Sequence, residues 1–264
     1  MELLFDRWPG GKRRCLTLSY DDGRLEDRRL VEILDRAGVR GTFHLNTAVL
    51  GDGEHVTAEE LKTLYKNHEV SAHTHTHPFL AELPQGAAVR ELLENRRLLE
   101  AAVGHPVRGM SYPYGQVSDA LVQTARACGM EYSRTVTARP TFEPPADFLR
   151  WDPTCHHNGL GDLWERFAAK DYRKKLQLFY LWGHSYEFAN DGNWDVIEAF
   201  CARAGGRGDT WYATNIEIKD YLTALRGLVM GADGRMVLNN SRFDVWVSCD
   251  GEAVRLPAGG LVHF

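Results

Sequence analysis

Short β-rich runs alternate with helical patterns along most of the chain, and no other feature constrains the fold as strongly. Residues 15–20 predict a strand, apolar residues recur at helical spacing over residues 30–37, and Gly38 follows where a helix C-cap belongs. The same reasoning predicts further strands at residues 42–46, 69–73, 107–112, 132–137, 178–182 and 210–213. Repeated strand–helix units predict a parallel sheet flanked by helices, and about seven strands favour a closed or nearly closed (β/α) barrel.

The pattern changes after about residue 228. Residues 242–248 and 253–256 predict two short strands around Asp250-Gly251, which is a strong turn signal. We therefore expect a (β/α) barrel over residues 1–226 and a short β-rich C-terminal extension over residues 227–264, packed on or near the barrel. A chain of 264 residues is long enough for one such barrel with a small appendage.

Charge and hydropathy exclude several classes of function. The chain has 31 Lys and Arg against 36 Asp and Glu, a formal net charge of −5. A surface of that sign repels phosphate backbones and anionic lipid, so we expect no nucleic-acid and no membrane partner. No apolar run approaches the roughly 18 residues that a membrane span needs.

The N-terminus and the cysteines bear on the compartment. The first residues contain neither the apolar core of about 7–15 residues nor the small-residue cleavage site of a signal peptide. The five cysteines are scattered and lack C-x-x-C spacing, so they predict neither a disulfide framework nor a cysteine zinc site. We expect a cytoplasmic protein. A secreted protein trimmed of its leader is the alternative.

Histidines cluster in the first third of the chain. Six of the eleven lie between His44 and His77, and the densest run is SAHTHTHP at residues 71–78. His73 and His77 are four residues apart, so on one helical turn they would meet on one face and suit a single metal ion. His75 lies between them and would point elsewhere. The alternative is a polar surface turn.

Three other polar segments follow predicted strands. Asp21 and Asp22 end the first strand, and burying two adjacent carboxylates requires a cation or hydrogen bonds. The segment SYPYG at residues 111–115 could hold a fixed loop that aims a backbone N–H at a substrate oxygen. His184 follows the apolar strand near residue 181. The alternatives are solvated turns for the first two and a buried structural histidine for the third.

These segments gain meaning together because the carboxyl ends of parallel barrel strands share one face, where active sites assemble. Two histidines and one carboxylate complete a three-ligand metal site with an open position for water. The remaining carboxylate and histidine are then available as base and acid. The residues therefore indicate metal-assisted hydrolysis.

The order SYDDG, HTHTHP, SYPYG, a Trp-Asp segment and LWGH resembles the polysaccharide deacetylase family over roughly residues 14–220. The resemblance implies a distorted (β/α) barrel and metal-dependent removal of acetyl groups. It also implies roles for single residues. Asp21 would be the general base, His184 the general acid, and Tyr114 would lend its backbone N–H to the oxyanion. The metal ligands would be Asp22, His73 and His77.

The chain departs from the family pattern at two positions. Ser111 stands where members often have an arginine that orients the base, and Arg150 is the candidate substitute. The fourth motif usually offers an aspartate that tunes the acid histidine, and here Asp152 is the candidate. His156 and His157 follow it and could line the pocket, although exposed loop histidines are the alternative.

We therefore predict an enzyme, a metal-dependent hydrolase that removes acetyl groups, chiefly N-acetyl, from a carbohydrate substrate. Zinc is the default metal for a His₂Asp site, and cobalt, nickel or manganese also fit these ligands. One alternative is a related metal-dependent amidohydrolase acting on a small non-carbohydrate amide. The other is a catalytically degenerate glycan-binding protein. The sugar and the oligomeric state stay open.

Overall fold

The computed structural model describes residues 1–169 and 174–264. Its strands are β1 Leu3–Leu4, β2 Arg14–Asp22, β3 Gly41–Leu45, β4 Glu69–Ala72, β5 Gly109–Ser111, β6 Tyr132–Arg134, β7 Cys155–His156, β8 Gln177–His184, β9 Thr210–Tyr212, β10 Val229–Met230, β11 Met236–Leu238, β12 Val245–Cys249, β13 Glu252–Leu256 and β14 Leu261–His263. Its helices are α1 Asp27–Ala37, α2 Leu61–Leu64, α3 Gln85–Val103, α4 Asp119–Ala127, α5 Leu163–Ala169, α6 Ser185–Asn190, α7 Trp194–Ala204 and α8 Asn215–Arg226. Within these ranges no helix is both long and apolar enough to cross a membrane.

The largest sheet is parallel and forms a curled, incomplete barrel. Its strands follow the order β6-β5-β4-β3-β2-β8-β7, and β9 joins β2 beside that path. The second half of β2 pairs with β3, whereas its first residues, from Arg14 to Leu16, pair with β9. This arrangement confirms the predicted (β/α) barrel of about seven parallel strands.

The central strand β2 is buried on both faces. Every residue from Cys15 to Asp21 lies in the interior, as expected of a parallel strand covered by helices on one side and by barrel side chains on the other. Helix α1 covers one face with an apolar stripe that includes Leu30 and Leu34, and it ends at Gly38, whose φ of 65° suits a glycine C-cap. Packing on both faces therefore holds β2 in place up to its last residues, Asp21 and Asp22.

The C-terminal segment forms antiparallel sheets that also take up the N-terminus. The hairpin β12–β13 pairs with β1, and β11 pairs with both β10 and β14. Helix α8 carries Tyr221, whose hydroxyl donates to the carbonyl of Arg7 at 2.7 Å and accepts from the backbone N–H of Trp246 at 3.1 Å. The first residues of the chain thus join the sheet that the sequence assigned to the tail alone.

Candidate active site

The polar segments that follow separate strands meet at one edge of the sheet. Asp21 and Asp22 end β2, His73 follows β4 and His184 ends β8. Asp21 lies beside His184 in the register of β2 and β8. The structure therefore brings these four residues together where the carboxyl ends of the parallel strands converge.

Asp22, His73 and His77 present one donor atom each to a common point. The three donors lie within 4.8 Å of one another. His73 Nε2 is 3.1 Å from His77 Nε2 and 3.6 Å from Asp22 Oδ1, and His77 Nε2 is 4.0 Å from that oxygen. In tetrahedral coordination with bonds of about 2.0–2.1 Å, neighbouring donors lie about 3.3 Å apart. The two imidazole nitrogens already approach that separation.

The protonation of His73 supports a cation at this point. Its Nδ1 is 3.0 Å from the carbonyl oxygen of Ser111, which can only accept, so Nδ1 carries the proton and Nε2 presents a lone pair. His77 Nε2 lies 3.1 Å from His73 Nε2. A divalent ion bound by these two nitrogens and the Asp22 carboxylate would use three donor atoms that already converge, so the residues fit one metal ion.

The segment that carries the two histidines is a loop, and the expected helical turn is wrong. Strand β4 ends at Ala72, and the backbone turns through positive φ at Thr74 (68°) and His77 (56°). The Thr74 hydroxyl accepts from the backbone N–H of His77 at 3.1 Å. His75 points away as expected, with its Nδ1 2.9 Å from the Thr47 hydroxyl. The sharp turn brings both Nε2 atoms to the same side.

Unusual backbone conformations concentrate around this point. Of the six non-glycine residues with positive φ in the described ranges, four surround the site: Asp22, Thr74, His77 and Tyr114. Such conformations cost about 1–3 kcal/mol each and persist where surrounding structure enforces them. Their clustering is typical of a functional centre.

Asp21 is buried and ion-paired to Arg134, which the sequence reasoning missed. The Arg134 guanidinium donates to Asp21 Oδ2, and the Ser111 hydroxyl donates to Oδ1 at 3.3 Å. Arg134 lies beside Ser111 in the register of β5 and β6. The expected substitute, Arg150, instead pairs with Asp119, so that expectation is wrong. The arginine that contacts Asp21 therefore lies on β6, the strand next to the one that carries Ser111.

The sequence does contain a signal that could have identified Arg134. It occupies the middle of the predicted strand at residues 132–137, where a buried charge requires a partner. Its side chain is fully buried, and the guanidinium carbon lies 4.2 Å from the centre of the Trp182 ring. A buried arginine on a strand therefore predicts a carboxylate partner elsewhere in the barrel.

The electrostatics of Asp21 keep it ionised. Burial alone would raise its pKa, but the Arg134 guanidinium and the neighbouring histidines, foremost His73, outweigh burial and hold the pKa below the ordinary value. The carboxylate is 2% exposed. It is thus an anion in a dry setting, able to accept a proton from a group placed against it.

His184 lies between two carboxylates. Its Nε2 is 4.0 Å from Asp22 Oδ2, and its Nδ1 is 3.3 Å from Glu187 Oε2 on the first turn of α6. Burial alone would lower the pKa of His184, but Glu187 and then Asp21 and Asp22 outweigh it and raise the pKa above the ordinary value. A larger fraction of the imidazole is therefore protonated near neutral pH.

The carboxylate beside His184 is Glu187, and the expectation for Asp152 is wrong. Asp152 accepts from the Thr135 hydroxyl and pairs with Arg139. His156 Nε2 and His157 Nε2 lie 3.1 Å and 3.3 Å from Glu187 Oε2, and His157 is buried in contrast to the exposed alternative. Glu187 stands three residues after His184, a spacing that places it on the first turn of a helix capped by the histidine.

Tyr114 follows β5 in a turn with φ of 57°, and its side chain points outward. The ring stacks on Phe79 with centroids 3.9 Å apart and planes 10° apart, and it meets His77 edge-on at 4.5 Å. Phe79 and Tyr114 are 45% and 51% exposed. The pair forms a flat apolar surface beside the candidate metal ligands.

Comparisons with known proteins agree with this picture. The family model described as polysaccharide deacetylase matches residues 9–133, the segment that holds Asp21, Asp22, His73, His77 and Tyr114. A Mycobacterium smegmatis protein assigned as a polysaccharide deacetylase has a similar fold, with a TM-score of 0.65 at 18% identity over 85% of this chain and 96% of that one.

Two further solved structures are similar. A family 4 carbohydrate esterase from Streptomyces lividans, in complex with acetate, has a TM-score of 0.50 at 15% identity over 74% of this chain and 91% of that one. A Streptococcus pyogenes deacetylase, also with acetate, has a TM-score of 0.46 at 19% identity over 51% of this chain, which spans 61% of that protein's length. The matched segment and the shared barrel fold make this chain similar to polysaccharide deacetylases.

Proposed function

We propose that this protein is a metal-dependent deacetylase that hydrolyses acetyl groups, chiefly N-acetyl, on a carbohydrate substrate. The observation that carries the proposal is one arrangement of ionisable groups. The ionised, buried Asp21 lies 3.6 Å from the candidate ligand atom His73 Nε2. His184, whose pKa is raised, lies with its Nε2 4.0 Å from Oδ2 of the candidate ligand Asp22. Two groups whose pKa values are driven apart are suited to act as base and acid in one reaction.

Asp22, His73 and His77 would hold the divalent ion, zinc by default, with cobalt, nickel or manganese as alternatives. A bound ion of this kind supplies Lewis acidity towards a carbonyl oxygen and water. The His73 ring is held for that role because its Nδ1–H donates to the Ser111 carbonyl.

The proton transfers fall to residues of the chain itself. Asp21 accepts a proton from the attacking water while Arg134 keeps the carboxylate ionised and oriented. The backbone N–H of Tyr114 donates to the oxyanion that forms on the acetyl carbonyl. His184 donates a proton to the departing amine as the C–N bond breaks, which yields acetate and the free amino sugar.

The Phe79–Tyr114 surface supports a carbohydrate substrate. Sugar rings have flat faces of C–H groups that pack on exposed aromatic rings, and this pair lies beside His77 at the opening of the site. A small cyclic amide would need little of that surface beyond the Tyr114 ring, which lies 4.5 Å from the His77 ring. The aromatic pair therefore favours an acetylated saccharide over the small-amide alternative.

An acetate-release assay tests the proposal. The protein, reloaded with zinc, is incubated with N-acetylated oligosaccharides, O-acetylated sugars, small cyclic amides and formamides, and Asp21→Asn serves as a control with an intact ligand set. We expect acetate from the N-acetylated saccharides and little from Asp21→Asn. Turnover confined to cyclic amides would favour the amidohydrolase. Saccharide binding without acetate release at any metal loading would favour the degenerate glycan-binding protein.

A further inference from the structure

A second cluster of metal-ligating side chains lies behind His184. Glu187 Oε2 is approached by three imidazole nitrogens: His156 Nε2 at 3.1 Å, His157 Nε2 at 3.3 Å and His184 Nδ1 at 3.3 Å. In the described parts of the chain, the charged partners of Glu187 are all histidines. A carboxylate surrounded by imidazoles is a donor set that zinc proteins use, in the form of two histidines and one glutamate.

Hydrogen bonding does not account for the burial of His157 in this cluster. It is 1% exposed, and neither of its ring nitrogens has a hydrogen-bond partner in the structure. Buried polar atoms are nearly always paired, so an orphaned imidazole aimed at a carboxylate calls for a ligand. The approach of Nε2 to Glu187 at 3.3 Å lacks hydrogen-bond geometry.

The surroundings of His157 hold its ring in one orientation. The ring stacks on Phe188, with centroids 4.1 Å apart and planes 28° apart, and faces Tyr20 at 6.0 Å. A Cβ at position 183 would lie 2.0 Å from His157 Nδ1, so only the absence of a side chain at Gly183 admits the ring. The glycine in β8 thus leaves space for the imidazole of His157, although the ring makes no hydrogen bond there.

We propose that His156, His157 and Glu187 bind a second divalent metal ion, separate from the one expected at Asp22, His73 and His77. Their donor atoms lie within 4.8 Å of one another, and two donor pairs lie 3.1–3.3 Å apart, near the separation of about 3.3 Å in a tetrahedral zinc site. His156 and Glu187 are each partly exposed, which gives an ion access to the cluster from solvent.

The two proposed sites share no ligand. His184 lies between them, with Nε2 towards Asp22 and Nδ1 towards Glu187. The second site joins the last residue of β7 and the residue after it to the first turn of α6, the helix that begins beside His184. An ion there would tie together the two segments that flank the histidine. The inference stands on these residues and does not depend on the substrate or on the reaction proposed above.

Metal counting tests the proposal without reference to activity. The full chain is stripped with a chelator, titrated with zinc alone, freed of excess ion and analysed for zinc by mass spectrometry. We expect about two ions per chain in the wild type, and about one in His156→Ala and in Glu187→Gln because a ligand is lost. Replacing zinc with cobalt should give two sets of absorption bands, of which His156→Ala removes one.

Matched variants keep the outcomes distinct. His105→Ala removes an exposed histidine outside both clusters and should keep two ions, whereas His77→Ala should keep one. If Glu187→Gln fails to fold, His156→Ala alone tests the second site, because the partly exposed His156 side chain can be removed with little effect on folding. One ion per chain in the wild type, lost in His77→Ala and kept in His156→Ala, would overturn the second site. One ion per chain that is kept in His77→Ala and lost in His156→Ala would support the second site and refute the site at Asp22, His73 and His77.

Discussion

Two carboxylates of the site, Asp21 and Glu187, are stabilised as anions by different partners. Asp21 is buried beside an arginine, and Glu187 is partly exposed among histidines. Burial alone would raise the pKa of each. At Asp21 the charge of Arg134 outweighs burial and lowers the pKa, and at Glu187 hydrogen bonds from His156 and His184 do so. Arginine keeps its charge at every relevant pH, whereas imidazole can lose its proton or bind a metal.

The difference teaches how the two sides are suited to different tasks. A base must be ionised before it accepts a proton, and the Arg134 guanidinium keeps Asp21 in that state. An acid must carry a proton before it donates one, and the raised pKa of His184 beside Glu187 favours that state. Variants that remove one partner at a time separate the two sides, and the largest effect belongs to the base.

Asp21→Asn should abolish most turnover while metal content stays near the wild-type value. An amide cannot accept the water proton, and general-base catalysis is worth about 10²–10⁴ in rate. Asp22→Asn is the matched control one residue away, and it should weaken metal retention instead. Measurement of kcat and zinc content for both variants checks this, and equal metal loss in the two would show that the carboxylates share their roles.

Arg134→Met should destabilise the fold by roughly 3–5 kcal/mol near pH 7, because it leaves a buried carboxylate without its cation. Since the folded pKa of Asp21 is lowered, the pair stabilises the fold above the unfolded Asp pKa of about 3.9. That contribution is lost as the pH falls through the lower folded pKa. The gap between wild type and variant should therefore narrow in acid.

Urea unfolding at about pH 7 and about pH 3 measures this gap as a free-energy difference. Arg150→Met is the control. Among the residues that the structure describes, Arg150 pairs with the exposed or half-exposed carboxylates of Asp119 and Asp147, so its loss should cost less than about 1 kcal/mol. A gap between wild type and Arg134→Met that stays constant from neutral to acid pH would mean that the arginine acts by packing on Trp182 and not by charge.

Some residues of the site could be predicted from the sequence, and others could not, for a physical reason. Asp21, Asp22 and His184 end apolar strands, so local patterns indicate that they share the sheet edge. Arg134 is 113 residues from Asp21, and no local pattern reports which buried charges pair across a barrel. Topology sets such pairings, and a single sequence does not display it.

The local backbone conformation explains why the helical turn expected at His73 and His77 is wrong. The H-x-x-x-H spacing suits a helix, but Thr74 and His77 adopt positive φ, which propensity rules reserve mainly for glycine and asparagine. The alternation of strands and helices, by contrast, is set by long apolar runs, and the barrel was therefore predictable. Position 111 illustrates what a single sequence can and cannot show. Its serine differs visibly from the arginine of the family pattern, but the sequence does not show that Arg134, on the next strand, contacts Asp21 instead.

His184→Ala tests the other side of the comparison and should slow N-acetyl hydrolysis by about a hundredfold. An activated acetate ester should be partly spared, because its leaving group departs without being protonated. The rates of wild type and variant on an acetylated amine and on such an ester decide this. Equal losses on both substrates would indicate that His184 acts by packing and would remove it from the proton transfer.

The smallest effect should come from Phe79→Ala, which removes half of the exposed aromatic surface beside His77. Aromatic contacts contribute about 0.5–1.5 kcal/mol, so KM for an acetylated oligosaccharide should rise roughly two- to tenfold. The kcat should hold, because contacts remote from the reacting bond bind ground state and transition state alike. Phe5→Ala, an exposed phenylalanine of the N-terminal segment, is the control and should leave KM unchanged. A lower kcat with an unchanged KM would instead mean that Phe79 supports the Tyr114 turn, and the aromatic surface would then argue for no saccharide.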